Sequence, residues 1–191
     1  MSLTQYYTAT SLDGFIADEN HSLEWLFKQQ QDREGPLNYK DFIADVGALA
    51  MGATTYEWIL GHEFADKDPE DWDWPYEVPS WVFTHRQLPI VPNAPIVFRS
   101  GDAAAVHAEM RAAAGERNLW IVGGGDLVGQ FADEGLLDEV IVYLAPVTLG
   151  AGAPLLPRNL DLRLEEAERN QDFVCARFSV AASVPAAAAD T

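Results

Sequence analysis

The stretch Leu119-Trp120-Ile121-Val122-Gly123-Gly124-Gly125-Asp126-Leu127-Val128-Gly129-Gln130-Phe131 restricts the fold more than any other. Four consecutive apolar residues predict a buried strand, and three glycines a turn. The spacing of Leu127, Val128 and Phe131 predicts a helix opening at Asp126. A glycine turn between a strand end and a helix start lets a ligand approach the backbone. Its free N–H groups and the helix dipole then attract an anion, typically phosphate. A tight βα connection with no ligand uses the same residues, so the stretch needs support from elsewhere. It is neither of two commoner anion loops. Counted from Gly123, the last position of G-x-G-x-x-G or A falls on Val128, and no lysine follows the glycines as a Walker loop requires.

Support comes from a second junction of the same kind. Ala48 to Met51 reads as a short buried strand that delivers Gly52-Ala53-Thr54-Thr55-Tyr56-Glu57, with hydroxyls placed to bond an anion. Strands are also predicted at Leu3–Thr10, Trp81–Thr84, Ile96–Phe98, Val140–Leu144 and Phe173–Ala182. Helical spacing runs through Leu23, Trp25, Leu26 and Phe27. Asn38 is a candidate N-cap for a helix with Tyr39, Phe42, Ile43 and Val46 on one face, and Asp102 for an alanine-rich helix ending near Ala114. Pro146 to Pro157 reads as a glycine-proline loop. This order predicts an α/β fold, mostly parallel, with antiparallel pairing at the late edge strands. It predicts one domain over 1–184 and a disordered tail over 185–191.

Gly61 to Pro79 is too long for a structureless connection and reads as a packed insertion carrying Trp72, Trp74 and Tyr76. With Trp81 these residues offer more aromatic surface than a solvated loop exposes. Either they pin the insertion to the body of the domain, or they cover the edge of an active site or a subunit interface. The second reading leads to the expectation of a homodimer whose interface involves the insertion and the late strands. With 12 Lys and Arg against 30 Asp and Glu, the net charge is −18, which repels nucleic acid and anionic membrane. One cysteine, Cys175, excludes an internal disulfide or a cysteine-rich zinc site, so no metal is expected. Met1-Ser2-Leu3 running into a strand pattern, with no long apolar run, predicts a cytoplasmic protein.

Four segments carry a family resemblance. They are Ser11-Leu12-Asp13-Gly14-Phe15-Ile16-Ala17, Met51-Gly52 through Thr55-Tyr56-Glu57, Val122 to Leu127 with Gln130-Phe131, and Leu136-Leu137-Asp138-Glu139 through Leu149-Gly150-Ala151-Gly152-Ala153-Pro154-Leu155. In this order and spacing the chain resembles the dihydrofolate reductase-like fold, a three-layer α/β/α architecture. More closely it resembles the C-terminal reductase domain of bacterial riboflavin-biosynthesis proteins. The resemblance implies an NADPH-dependent reductase. It sets Ala9, Ile16 and Ala17 beside the nicotinamide, and Gly52, Thr54 and Thr55 at the pyrophosphate. Thr84, His85 and Arg86 fall at the adenosine ribose and its 2′-phosphate. Val122, Gly123, Gly124, Gly125, Asp126, Leu127 and Val128 form the second pyrophosphate loop. Dihydrofolate reductases often carry a basic residue after the Met-Gly pair, where this chain has Ala53. The 2′-phosphate then depends on Arg86, or on Arg99 at the next strand end.

Hydride transfer asks the protein for orientation, water exclusion and a proton source, because the cofactor carries the chemistry. Asp13 is the acid that the resemblance sets near the nicotinamide, although Asp-Gly is also plain turn chemistry. Trp25, Tyr39 and Tyr56 offer flat surface for a planar substrate ring, and each serves equally as core. Asp41 and Asp45 match the pterin-binding carboxylate of dihydrofolate reductase only loosely, which points away from folate. A ribosyl phosphate calls for basic groups, and the chain has few. The H-x-E and P-C-x-x-C signature of zinc deaminases is absent. The reading is an NADPH-dependent reductase of a small heterocyclic or phosphoribosyl substrate, with uracil reduction in riboflavin biosynthesis as the named example. A non-catalytic nucleotide-binding or assembly protein on the same fold is the alternative.

Overall fold

The computed structural model describes residues 2–181, and the tail expected at 185–191 lies outside them. Eight strands form one sheet: β1 (Thr4–Thr10), β3 (Val46–Gly52), β4 (Ser80–Phe83), β5 (Ile96–Arg99), β6 (Asn118–Gly123), β7 (Glu139–Leu144), β9 (Leu162–Asn170) and β10 (Phe173–Val180). Their order is β5-β4-β3-β6-β1-β7-β10-β9. The six strands from β5 to β7 are parallel, and β10 runs antiparallel to both β7 and β9. The predicted α/β sheet with antiparallel late strands is therefore the observed one.

Six of the seven residues of β3 are buried, as expected of a strand covered on both faces. Its side chains alternate. Ala48 and Ala50 join Tyr6, Leu119, Ile121, Val140 and Val142 beneath α4 (Ala103–Ala114) and α5 (Gly125–Asp133). Leu49 and Met51 join Val82 and Trp120 beneath α3 (Ala53–Glu63), which contributes Tyr56 and Ile59. Phe131 of α5 is fully buried on the first face. Burial of a side chain of that size stabilises the fold by roughly 1.5–3 kcal/mol. The short α2 (Tyr39–Ala44) packs beside α3 through Phe42 and Ile43, and α1 (Glu24–Phe27) is a single turn.

Two features depart from expectation, and a third decides between two readings of the insertion. Leu162–Asn170 is a full edge strand where the sequence suggested none. The glycine-proline loop pairs Ala153–Pro154 (β8) with Phe15–Ala17 (β2) as a small separate sheet. The insertion turns its aromatics inward. Trp72 stacks on Phe64, ring centres 5.3 Å apart. Trp74 is buried against Tyr56 and donates its Nε1–H to Ser80 Oγ at 3.1 Å. Trp81 donates to Glu109 Oε2 at 3.0 Å. Trp74 and Trp81 are thereby buried, and Trp72 and Tyr76 half-buried. Among the described residues, exposed apolar side chains include Leu162, Leu164 and Val174 on β9 and β10, and also Leu12, Phe27, Tyr39 and Ile90.

Candidate functional site

Strands β3 and β6 are parallel neighbours, yet the helices that follow them go to opposite faces. Open α/β sheets bind ligands in the crevice at the carboxyl ends of such a strand pair. Both helices begin on glycine, Gly52 for α3 and Gly124 for α5, and neither start carries a side-chain cap. By contrast α2 is capped by Asn38, which accepts from Asp41 N–H, and α4 by Asp102, which accepts from Ala104 N–H. In α5 the Val128 N–H donates back to Gly124 O at 3.2 Å. The N–H groups of Gly125, Asp126 and Leu127 precede that bond and have no intrahelical acceptor.

A cleft of about 630 Å³ lies over this junction. The three glycines divide the work. Gly123 has φ +142°, which a residue with a side chain rarely adopts. A Cβ on Gly124 would meet only Ile16 Cδ1, at 4.0 Å, so the space above it is open cleft. A Cβ on Gly125 would collide with the carbonyl oxygens of Pro154 and Leu155, so that glycine serves close packing onto β8.

Of the residues expected around a dinucleotide, Ile16, Ala17, Gly52, Thr54, Thr55, Thr84, His85, Val122, Gly123, Gly124, Gly125, Asp126 and Leu127 line the cleft. Ala9, Val128 and Arg86 do not. Ala9 packs against the cluster around Trp25 and Tyr143. Val128 is fully buried on the inner face of α5. Arg86 turns away to a two-pronged ion pair with Glu57 of α3, at 2.9 and 2.7 Å. Arg99 lines the cleft in its place, beside Ser100 and Gly101. Its guanidinium is held from behind by Glu109, at 3.1–3.2 Å. Asp126 is the other charged lining residue apart from histidine. Arg158 holds its carboxylate at 3.1 Å and so offsets a negative charge at the start of α5.

None of the expected substrate residues lines the cleft. Trp25 is buried with Tyr143, Phe173 and Cys175. Tyr56 is fully buried and donates its hydroxyl to Pro89 O at 2.6 Å. Tyr39 stands behind the wall, its ring edge-on to Trp120 at 5.8 Å. The cleft takes its aromatics from Tyr7, Trp58, Tyr76 and Trp120, which the sequence reading did not single out.

Asp13 also lies off the cleft. Its carboxylate accepts from the Leu149 and Gly150 N–H groups, at 3.1 and 2.7 Å, and from the Ser11 hydroxyl at 2.6 Å. The Ser11 bond first, and then the Gly150 amide, lower its pKa to about 2. At neutral pH it is a carboxylate that ties the first loop to the loop before β8, and it holds no proton to give. The sign follows from the lowering. Its stabilising effect is complete above the ordinary aspartate value of about 3.9. It is lost as the pH falls through about 2. Among the described residues no cluster of His, Cys, Asp and Glu is suited to a metal ion, and no helix is long and apolar enough to cross a membrane.

The model of the RibD C-terminal domain family matches residues 4–174. The chain belongs to that family. Among relatives of this RibD C-terminal domain, the uncharacterized protein YwjB of Bacillus subtilis is 34% identical over 167 residues, 85% of this chain and 88% of the relative. A putative riboflavin biosynthesis protein from Shewanella sp. PV-4 has a solved structure that superposes with a TM-score of 0.76 at 26% identity, over 94% of this chain and 99% of that one. A bifunctional deaminase and 5-amino-6-(5-phosphoribosylamino)uracil reductase from Thermotoga maritima superposes with a TM-score of 0.61 at 14% identity. The match covers 94% of this chain and 57% of that protein, a likeness of fold. The family expected from the four sequence segments is the family found.

Proposed function

We propose that this RibD C-terminal domain is an NADPH-dependent reductase of a small heterocyclic substrate. The observation that carries the reading is the pair of uncapped, glycine-opened helix starts facing one cleft at the sheet's switch point. Two such starts offer a diphosphate N–H donors from two sides. The glycines fit such a group, since a Cβ on Gly52 or Gly124 would come no nearer than 3.8 Å to the surrounding protein and would occupy cleft instead. Thr84, His85, Arg99 and Ser100 would hold the adenosine end, with Ile16 and Ala17 beside the nicotinamide. A nicotinamide bound there supplies a hydride. The chain's own part is to fix the two rings, keep water out with apolar walls and admit one proton. Membership in the RibD C-terminal domain family, with a putative riboflavin biosynthesis protein among its structural neighbours, supports the chemistry. A non-catalytic nucleotide-binding or assembly protein is the alternative.

Calorimetric titration tests the reading, with NADPH expected to bind and to raise the Tm. No heat and no Tm change with NADPH or NADH would overturn it. Binding without oxidation in the presence of any ring acceptor would favour the alternative.

The state of Asp13 leads to a separate expectation. A positioned general acid is worth about 10²–10⁴-fold in rate. Asp13→Asn should retain turnover within about three-fold and lower the Tm, because two backbone N–H groups lose a charged acceptor. A rate loss of a hundred-fold or more in a folded Asp13→Asn protein would restore Asp13 as the proton source.

A further inference from the structure

Beyond the first turn of α3 the cleft continues between the sheet and the insertion, and its chemistry changes. Tyr7 of β1 and Trp120 of β6 form the floor, Trp58 of α3 a wall, and Tyr76 of the insertion another. The floor is rigidly set. Trp120 donates its Nε1–H to Tyr7 O at 3.2 Å, and Phe42, Tyr76 and Tyr39 meet its ring edge-on at 5.5 to 5.8 Å. Trp58 is braced by a stacked His62 at 4.6 Å. Preset aromatic faces suit a flat conjugated ring, because little ordering is left to be done on binding.

No Lys, Arg, Asp or Glu lines this end. Of the residues lining the whole cleft, Arg99 and Asp126 are the acidic or basic ones besides histidine, and they stand at the end of β5 and the start of α5. The carboxylate of Asp41 is taken up by Asn38 of its own cap. A phosphate drawn into this slot would lose its water shell with no lysine or arginine to meet it.

One polar group stands ready. The Tyr76 ring packs between Trp74 at 5.5 Å and Trp120 at 5.7 Å, yet its hydroxyl makes no hydrogen bond among the described residues. The neighbouring tyrosines are committed, Tyr7 to Leu37 O at 3.0 Å and Tyr56 to Pro89 O. The Tyr76 hydroxyl is not among the polar atoms shut off from solvent without a partner, so it is open to a ligand in the cleft that Tyr76 lines. Burial first, and then the neighbouring Tyr39 phenol and Glu63 carboxylate, raise the Tyr76 pKa, so the phenol keeps its proton and can act as a donor.

We propose that this end of the cleft takes an uncharged, flat heteroaromatic ring bearing no phosphate, and that the Tyr76 hydroxyl donates a hydrogen bond to a ring nitrogen or carbonyl. The inference rests on the reductase reading for its site and goes past it in excluding a phosphoribosyl substrate. The insertion, which supplies Tyr76, thereby becomes a determinant of specificity.

Tryptophan quenching tests it, with lumazine, lumichrome and alloxazine as neutral rings and riboflavin 5′-phosphate as the phosphorylated comparison. At least one neutral ring should bind at least ten-fold more tightly than riboflavin 5′-phosphate. Tyr76→Phe, with its Tm checked, should weaken lumazine or lumichrome about ten-fold, and Trp58→Ala at least as much. Tighter or equal binding of riboflavin 5′-phosphate, or no quenching by any of the three neutral rings, overturns the substrate class. Unchanged affinity in folded Tyr76→Phe overturns the hydrogen bond. NADPH titration of the unaltered protein separates the two readings. NADPH binding without ring binding leaves the reductase site and removes this inference, whereas ring binding without NADPH does the reverse.

Discussion

Gly124→Val should abolish NADPH binding while leaving the protein folded. At φ −74° and ψ 178° this N-cap position is extended backbone, which valine adopts readily. A Cβ there meets Ile16 Cδ1 at 4.0 Å and nothing nearer. The fold loses a favourable glycine N-cap, a cost of about 1 kcal/mol. A ligand loses much more, because the valine methyls stand over the open N–H groups of α5. Hydrogen bonds to a charged acceptor are worth about 1.5–3 kcal/mol each. Losing two of them weakens binding by at least about a hundred-fold. Gly125→Ala gives the contrast. Its added methyl runs into Pro154 O and Leu155 O, so the expected result there is a lower Tm, with binding lost through the fold. Unchanged NADPH affinity in folded Gly124→Val, read by calorimetry, would remove the diphosphate from this junction.

The two glycine junctions were legible from sequence because each rule is local: apolar run, glycine, helical spacing. The separation of roles among Gly123, Gly124 and Gly125 was not. It depends on β8, which lies nearly thirty residues further along the chain and packs on Gly125 alone. Strand β9 escaped notice for a different reason. An edge strand with seven exposed residues out of nine lacks the apolar alternation that marks a half-buried one. The aromatics that line the cleft were not singled out because α3 is apolar around much of its circumference. Nothing in Tyr56-Glu57-Trp58-Ile59-Leu60 says that Tyr56 goes to the core and Trp58 to the cleft, since the packing of α3 on Val82 and Trp74 decides it. Tyr76 and Trp120 meet across 44 positions of sequence, through a sheet order that brings β6 back between β3 and β1. Asp13 was read as a turn residue or an acid. The structure favours the turn, with a bond to Gly150 that no local pattern announces.

The same limit governs the choice between two arginines at successive strand ends. Sequence alone offered Arg86 first and Arg99 second for the 2′-phosphate, and the cleft is lined by Arg99 and not by Arg86. Arg86 has a side chain 59% exposed and spends its fork on Glu57. Such surface pairs contribute about 0–1 kcal/mol. Arg99 lines the cleft and is oriented by Glu109, which Trp81 and Arg99 hold below the usual carboxylate pKa. That brace keeps the guanidinium in place before any ligand arrives. Glu109 also cancels part of its charge, so Arg99 acts chiefly as a positioned donor. NADPH and NADH differ only by the 2′-phosphate, which makes their ratio the cleanest readout. Arg99→Ala should weaken NADPH about ten- to a hundred-fold more than NADH, corresponding to about 1.5–3 kcal/mol for the lost contact. It also leaves Glu109 facing the phosphate uncompensated, which pushes the effect toward the upper figure. Arg86→Ala should change both affinities by less than about three-fold. The gap between the cofactors should narrow with added salt, because a half-exposed charge contact is screened. Equal losses of NADPH and NADH in Arg99→Ala would show that the arginine only braces β5 against α4, and that His85 and Ser100 must account for any preference.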